Sequence, residues 1–146
     1  MPFRLLFIIK ARNFKMNRFD ARENAFAVVF CSHFQKDAAP DEVISSYLES
    51  QNIENDEYFD KLFHTVWENL EEIDGLIERN LNNWKINRIS KVALAALRLG
   101  VAEIKYIDET PNHVAINESI EIAKKYEDQK CGNFVNGVLS AIMKEQ

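Results

Sequence analysis

Residues 56–82 read DEYFDKLFHTVWENLEEIDGLIERNLN, and their spacing decides the fold. Phe59, Leu62, Phe63, Val66, Leu70, Ile73 and Ile77 recur at intervals of three and four, while Glu57, Asp60, Lys61, Glu68, Glu71, Glu72 and Glu78 fall largely on the opposite face. That is the period of an amphipathic α-helix with one face toward a core. Asp74-Gly75 predicts a kink or a break near the middle, since Gly costs about 1 kcal/mol inside a helix.

The same period continues outward in both directions. Upstream, Asp20 followed by Glu23 predicts a capping-box start to a helix reaching about Lys36. Its segment from Ala25 to Cys31 is apolar almost all round, which places it in the middle of a bundle. Pro40 suits the first turn of a short helix carrying Val43, Ile44, Tyr47 and Leu48, and Ser50 to Asn55 reads as a loop. Downstream, Ser90 is positioned to cap a helix ending near Tyr106, in which Ala93, Ala96 and Gly100 leave room for a neighbour. Pro111 opens the next helix, and the last one follows Gly132 and buries Phe134, Val135, Val138, Leu139 and Ile142. The reading is an all-α bundle of six or seven helices.

Composition agrees. A chain of 146 residues fits one compact domain, and 47% hydrophobic with 28% charged residues excludes disorder as the default. Four Gly and three Pro are too few for the turns of a many-stranded sandwich. Cys31 and Cys131 give neither a disulfide framework nor zinc spacing. The net charge of −5 is unevenly spread: residues 1–36 hold seven basic groups against two acids, a net of +5, which leaves −10 for residues 37–146. A basic end on an acidic body can engage a polyanion locally.

Residues 1–15 are expected to be an atypical N-terminal extension or a mis-called start, with Met16 directly before the first natural helix. The apolar run Phe3 to Ile9 lacks a cleavage site and is far short of the ~20 residues needed to cross a bilayer.

Catalytic constellations fail. The glycines stand singly at 75, 100, 132 and 137, so there is no phosphate-cradling loop. His33, His64 and His113 lie on separate elements without ligand partners at i+3 or i+4, and Cys31 sits in an apolar run where a thiol is inert. No metal, cofactor or reaction is expected. Recognition features fare better. Arg18 and Arg22 share one face at the first helix entry, where positive charge opposes the macrodipole. Lys124, Lys125 and Lys130 precede Asn133 and Phe134, and cations beside a ring suit single-stranded RNA.

Four segments together resemble the NusB family of bacterial transcription antitermination factors: Arg18 to Phe26, Trp84 to Glu103, Pro111 to Tyr126, and Phe134-Val-Asn-Gly-Val-Leu-Ser. The likeness runs over residues 16–146, in order and at family spacing, and makes that span a NusB-like RNA-binding domain. It implies two small helical bundles packed together, and a cytoplasmic, non-enzymatic role without membrane attachment. The family binds single-stranded boxA RNA together with NusE, a small-subunit ribosomal protein. The two act in the RNA polymerase elongation complex with other Nus factors, notably on ribosomal RNA operons. Both monomers and homodimers fit the resemblance. Carried over by position, it implies RNA contacts at Arg18, Arg22, Phe30, Lys130, Asn133 and Phe134, and a NusE-facing surface at Glu103 and Tyr106.

In this reading Arg18 and Arg22 would hold phosphates, and Phe134 would stack on a base. Replacing Arg22 by Ala is then expected to weaken RNA binding and leave unfolding nearly unchanged. Arg98 and Glu103 are candidates for pairing within or between helices, and Trp84 is expected to be a packing anchor. The arginine-rich segment is thin, because Asn17, Phe19 and Asp20 occupy places where the family often has basic or neutral residues. Affinity for RNA without NusE is therefore expected to be weak. Two alternatives stand beside this one: the NusB-like N-terminal domain of a ribosomal RNA methyltransferase, which would need a cofactor motif absent from these residues, and a helical adaptor that binds only protein.

Overall fold

The computed structural model describes residues 16–32, 34, 37–82 and 84–145. The expectations for residues 1–15, for His33 and for a first helix reaching Lys36 lie outside them. Among the described residues there are seven α-helices, one short 3-10 turn and no strand, in two compact units, the first ending at Trp67 and the second beginning at Glu68.

In the first unit, helix α1 (Arg18–Cys31) starts two residues earlier than the Asp20–Glu23 pair suggested. Asn17 is the cap: its side chain accepts the Asp20 N–H at 2.8 Å, and the Asp20 carboxylate accepts the Asn17 N–H at 3.5 Å. Glu23 is drawn into the interior instead. The helix is buried from Asp20 to Val29, as its all-round apolar middle predicts. Asn24 lies in that interior with its hydrogen bonds satisfied. Its amide donates to the Asp20 carbonyl at 2.9 Å and to the Met16 sulfur at 3.8 Å, and its carbonyl oxygen accepts the Tyr47 hydroxyl at 2.5 Å. Burial, reinforced by the nearby Cys31 and Glu23, pushes the Tyr47 phenol well up.

Tyr47 belongs to α2 (Pro40–Gln51), which opens on Pro40 as expected and ends on Asn52 in the left-handed region at φ 55°. Helix α3 (Glu57–Glu68) is capped by Asp56, whose carboxylate accepts the Phe59 N–H at 3.0 Å, and buries Tyr58, Phe59, Leu62, Phe63 and Val66. His64 of α3 holds the start of α2: its Nε2 lies 2.8 Å from the Asp41 carboxylate and its Nδ1 2.8 Å from the Asp60 carbonyl oxygen.

The helical run through residues 56–82 does break, but at Asn69 rather than at Asp74-Gly75. In the second unit Gly75 sits inside α4 (Leu70–Arg79) with open space where a Cβ would go. Asp74 serves a different purpose. It takes a bidentate pair of bonds from Arg98 of α5 (Lys91–Tyr106) at 2.9 and 2.8 Å, so Asp74 is one acid that pairs with Arg98. Ser90 caps α5 by accepting the Ala93 N–H at 3.0 Å.

Helix α6 (Asn112–Tyr126) follows Pro111, and α7 (Gln129–Glu145) starts three residues before Gly132. It starts early because Asp128 supplies the cap, accepting the Cys131 N–H at 2.8 Å. Helices α5, α6 and α7 pack on one another closely at Gly100, where an added Cβ would lie 2.7 Å from Leu139 Cδ1 and 2.8 Å from Ser119 Oγ. The ends of α4 and α7 are tied by Glu145, which accepts from Arg79 at 3.1 Å and Asn80 at 2.7 Å.

Two outcomes follow from this packing. Gly100→Ala forces a methyl against buried Leu139 and should cost about 1–3 kcal/mol in urea unfolding; an unchanged midpoint would mean the helices can separate freely. Burial opposes protonation of His64, but its bonds to Asp60 and Asp41 outweigh that and raise its pKa above 6.5. The stabilisation is complete below the unfolded value and is lost as pH rises through the raised folded value. The Tm difference between the native chain and His64→Gln should therefore be larger near about pH 6 than near about pH 8.5, by calorimetry.

Candidate nucleic-acid interface

On the first unit, the sequence-predicted residues gather around Tyr58. Arg18 is exposed in the first turn of α1, and its guanidinium carbon sits 3.8 Å from the centre of the Tyr58 ring. Such a cation–π contact contributes roughly 0.5–2 kcal/mol and settles the arginine on a flat support. Arg22 also approaches that ring, at 5.7 Å, but it is only 6% exposed. The helical spacing correctly puts both arginines on one side, yet depth separates them. The expectation of two equivalent surface cations is corrected: Arg18 is exposed and Arg22 is part of the interior. Phe30, near the far end of α1, is half-buried and stacks on Phe26 at 5.8 Å between centroids. Cys31 beside it is pushed up to about 11 by burial, in keeping with an inert thiol.

On the second unit, Lys130, Asn133 and Phe134 occupy the first two turns of α7. Lys130 and Asn133 are exposed, and the Asn133 side-chain carbonyl accepts from Gln129 at 3.0 Å. Phe134 is half-buried, which corrects the expectation of a core ring. Lys130 and Phe134 line an open groove of about 380 Å3, shared with Trp84, Arg88, Ile89, Ser90, Ala93, Glu127, Asp128 and Cys131. Cys131 is pushed up to about 11, chiefly by burial, so it lines the groove as a neutral thiol.

Trp84 is not the packing anchor expected from sequence; it is 60% exposed. The chain leaves α4 through Asn82 at φ 47°, and the Trp84 N–H then bonds back to Leu81 at 3.1 Å, which delivers the indole to the surface. A sequence signal for it did exist: a lone tryptophan between Asn82-Asn83 and Lys85 has polar neighbours on both sides. Lys124 and Lys125 do not join this patch as free cations. Lys124 packs against Gly132 and pairs with Glu121 at 3.2 Å, and Lys125 lies 5.4 Å from the Tyr126 ring.

The partner-facing pair also divides. Glu103 is 1% exposed, so it cannot present its carboxylate at a surface, which corrects that expectation. Its place on α5 falls on the side packed inward, flanked by buried Val101 and Ala102. Tyr106 is half-buried, with its hydroxyl donated to Glu72; burial and that bond push the phenol up to about 12. Among the described residues, no group of three or more His, Cys, Asp or Glu is placed to hold a metal, and no helix is long and apolar enough to cross a membrane.

The sequence model of the NusB family matches residues 20–144. The chain belongs to the NusB family. The transcription antitermination protein NusB of Listeria monocytogenes serotype 4a (strain HCC23) is 48% identical over 130 residues, covering 89% of this chain and 98% of that protein. The NusB of Acetivibrio thermocellus is 43% identical over 131 residues, with 88% and 90% covered. A chain in a crystal structure of antitermination factors NusB and NusE in complex with dsRNA superposes with a TM-score of 0.77 at 38% identity, covering 90% of this chain and all of that one. The solution structure of NusB from Aquifex aeolicus gives 0.74 at 39% identity, with 88% and 89% covered. Transcription antitermination is the function this NusB-family chain shares with its relatives.

The burial of Arg22 reverses one mutational expectation. Arg22→Ala should lower unfolding stability by roughly 1–3 kcal/mol, because buried partners of the guanidinium lose it. Arg18→Ala, which loses an exposed cation–π contact, should cost less, about 0.5–1 kcal/mol. Equal urea midpoints for the two variants would contradict the difference in depth.

Proposed function

We propose that this chain acts in the transcription elongation complex by binding single-stranded boxA RNA jointly with NusE, and that it does so by recognition alone, without a chemical step. One observation carries the reading. The first unit exposes Arg18 seated on the buried Tyr58 ring, and the second brings exposed Lys130 and half-buried Phe134 into one open groove. Cations neutralise phosphates while exposed rings take unstacked bases, and that combination suits single strands better than a duplex, whose bases are already stacked. The solved complex of NusB and NusE with dsRNA, whose matched chain is covered in full, supports RNA binding together with NusE, while the preference for a single strand rests on the cations and rings.

Within it, Arg18 and Lys130 contact phosphates, Asn133 and Phe134 meet bases, and Phe30 meets the strand separately, at the other end of α1. Arg22 acts by holding Tyr58 and α1 in place, and Tyr106 stands near the surface that meets NusE. Residues 16–146 carry the activity and residues 1–15 are dispensable for it. The cellular place of such a factor is the cytoplasm, with RNA polymerase and the other Nus factors.

The test is a titration of boxA and scrambled single-stranded RNA against the full chain, with and without NusE, at two salt concentrations. A preference for boxA that grows with NusE is the expected result. Arg18→Ala should lower the slope of log affinity against log salt by roughly 0.7, the value for one phosphate contact on a single strand. Salt-independent, sequence-blind behaviour under every condition would leave a protein-only adaptor instead.

A further inference from the structure

The groove on the second unit is larger than two protein contacts to a phosphate strand require. At about 380 Å3 it falls within the range of small-molecule sites, roughly 300–1,000 Å3. Its walls are aromatic and aliphatic: Trp84, Phe134, Ile89, Ala93 and the neutral Cys131. Its rim carries two cations, Arg88 and Lys130, and two acids, Glu127 and Asp128. A rim balanced in charge is a poor trap for a bare phosphate. It matches a group that is flat and apolar on its faces, bears amino and carbonyl groups on its edge, and is attached to an anion outside.

We propose that this groove takes one unstacked nucleobase of the bound RNA, with Trp84 as its stacking platform. The inference rests on the RNA-binding reading above and adds to it a subsite and a residue, Trp84, that the resemblance did not supply. Phe134 and Lys130 make the groove continuous with the proposed RNA edge, since both line it. Arg88 and Lys130 sit where a flanking phosphate is neutralised. Glu127 and the Asp128 oxygen not engaged by the Cys131 N–H can accept from an exocyclic amino group, the pairing that carboxylates make with cytosine N4. The exposure of Trp84, at 60%, leaves its ring accessible beside the apolar lining of the groove, as a stacking platform requires.

The experiment uses the full chain with NusE and a single-stranded boxA oligonucleotide, alongside a set of the same oligonucleotide with one abasic site at each position. Trp84→Ala should raise Kd by roughly 5- to 100-fold, the loss of one stacked base, and Trp84→Tyr should recover most of it. One abasic position should weaken the native chain by a similar factor and leave Trp84→Ala nearly unaffected, which identifies the base in the groove. Unchanged affinity in Trp84→Ala, with Arg18→Ala still weakened, would overturn the subsite and leave the RNA-binding reading standing. Loss of NusE binding by Trp84→Ala, with RNA affinity intact, would also overturn it and assign the groove to a protein side chain. No RNA binding by the native chain would overturn both.

Discussion

The close approach of three helices at Gly100 governs what the second unit can present. With no side chain there, Leu139 and Ser119 come within a distance that a Cβ could not share. Their approach sets the rotation of α7 about its own axis, turning Cys131, Val135, Val138, Leu139 and Ile142 inward. Because a helix has two sides, the same rotation leaves Lys130 and Asn133 in water and puts Phe134 on the border between them. A packing constraint deep in the unit thus decides which residues reach water some two turns away.

In the first unit the comparable constraint is the ring of Tyr58. It gives Arg18 a flat surface to lie on, and Arg22 approaches the same ring from a buried position. A charged side chain that has given up most of its water stays charged when surrounding groups hydrogen-bond it, and it then contributes to stability rather than to binding. Two arginines four residues apart therefore divide the work. The outer one lies exposed on the ring, while the inner one braces the helix that carries it.

The chain's overall charge of −5 is compatible with RNA recognition because the cations that matter are few and local. Recognition of this kind relies on flat hydrophobic faces as much as on charge. Among the described residues, exposed Trp84 and half-exposed Phe134 are faces of that kind. Both cysteines are pushed up to about 11, chiefly by burial, and His64 is occupied in holding α2 to α3, so these three side chains serve packing.

The all-helical class was legible from three- and four-residue spacing, because an amphipathic helix must repeat at its own pitch whatever it packs against. The Ser90 cap, the Pro40 start and the close approach at Gly100 were legible too, since each depends on the chemistry of one residue and its immediate neighbours. Family membership could be read from four ordered segments. Break points were harder: the run 56–82 divides at Asn69 while Gly75 stays helical, because the acid beside that glycine is held by Arg98 from another helix. Depth was not legible at all. Arg22, Glu103 and Trp84 were each misjudged, since periodicity assigns a residue to a side of its helix and says nothing of how far the neighbouring helices cover that side. Sequence by itself determined the helices and their inward faces, a local property of pitch and capping; tertiary structure alone decided which polar and aromatic groups reach water, because that depends on residues distant in the chain.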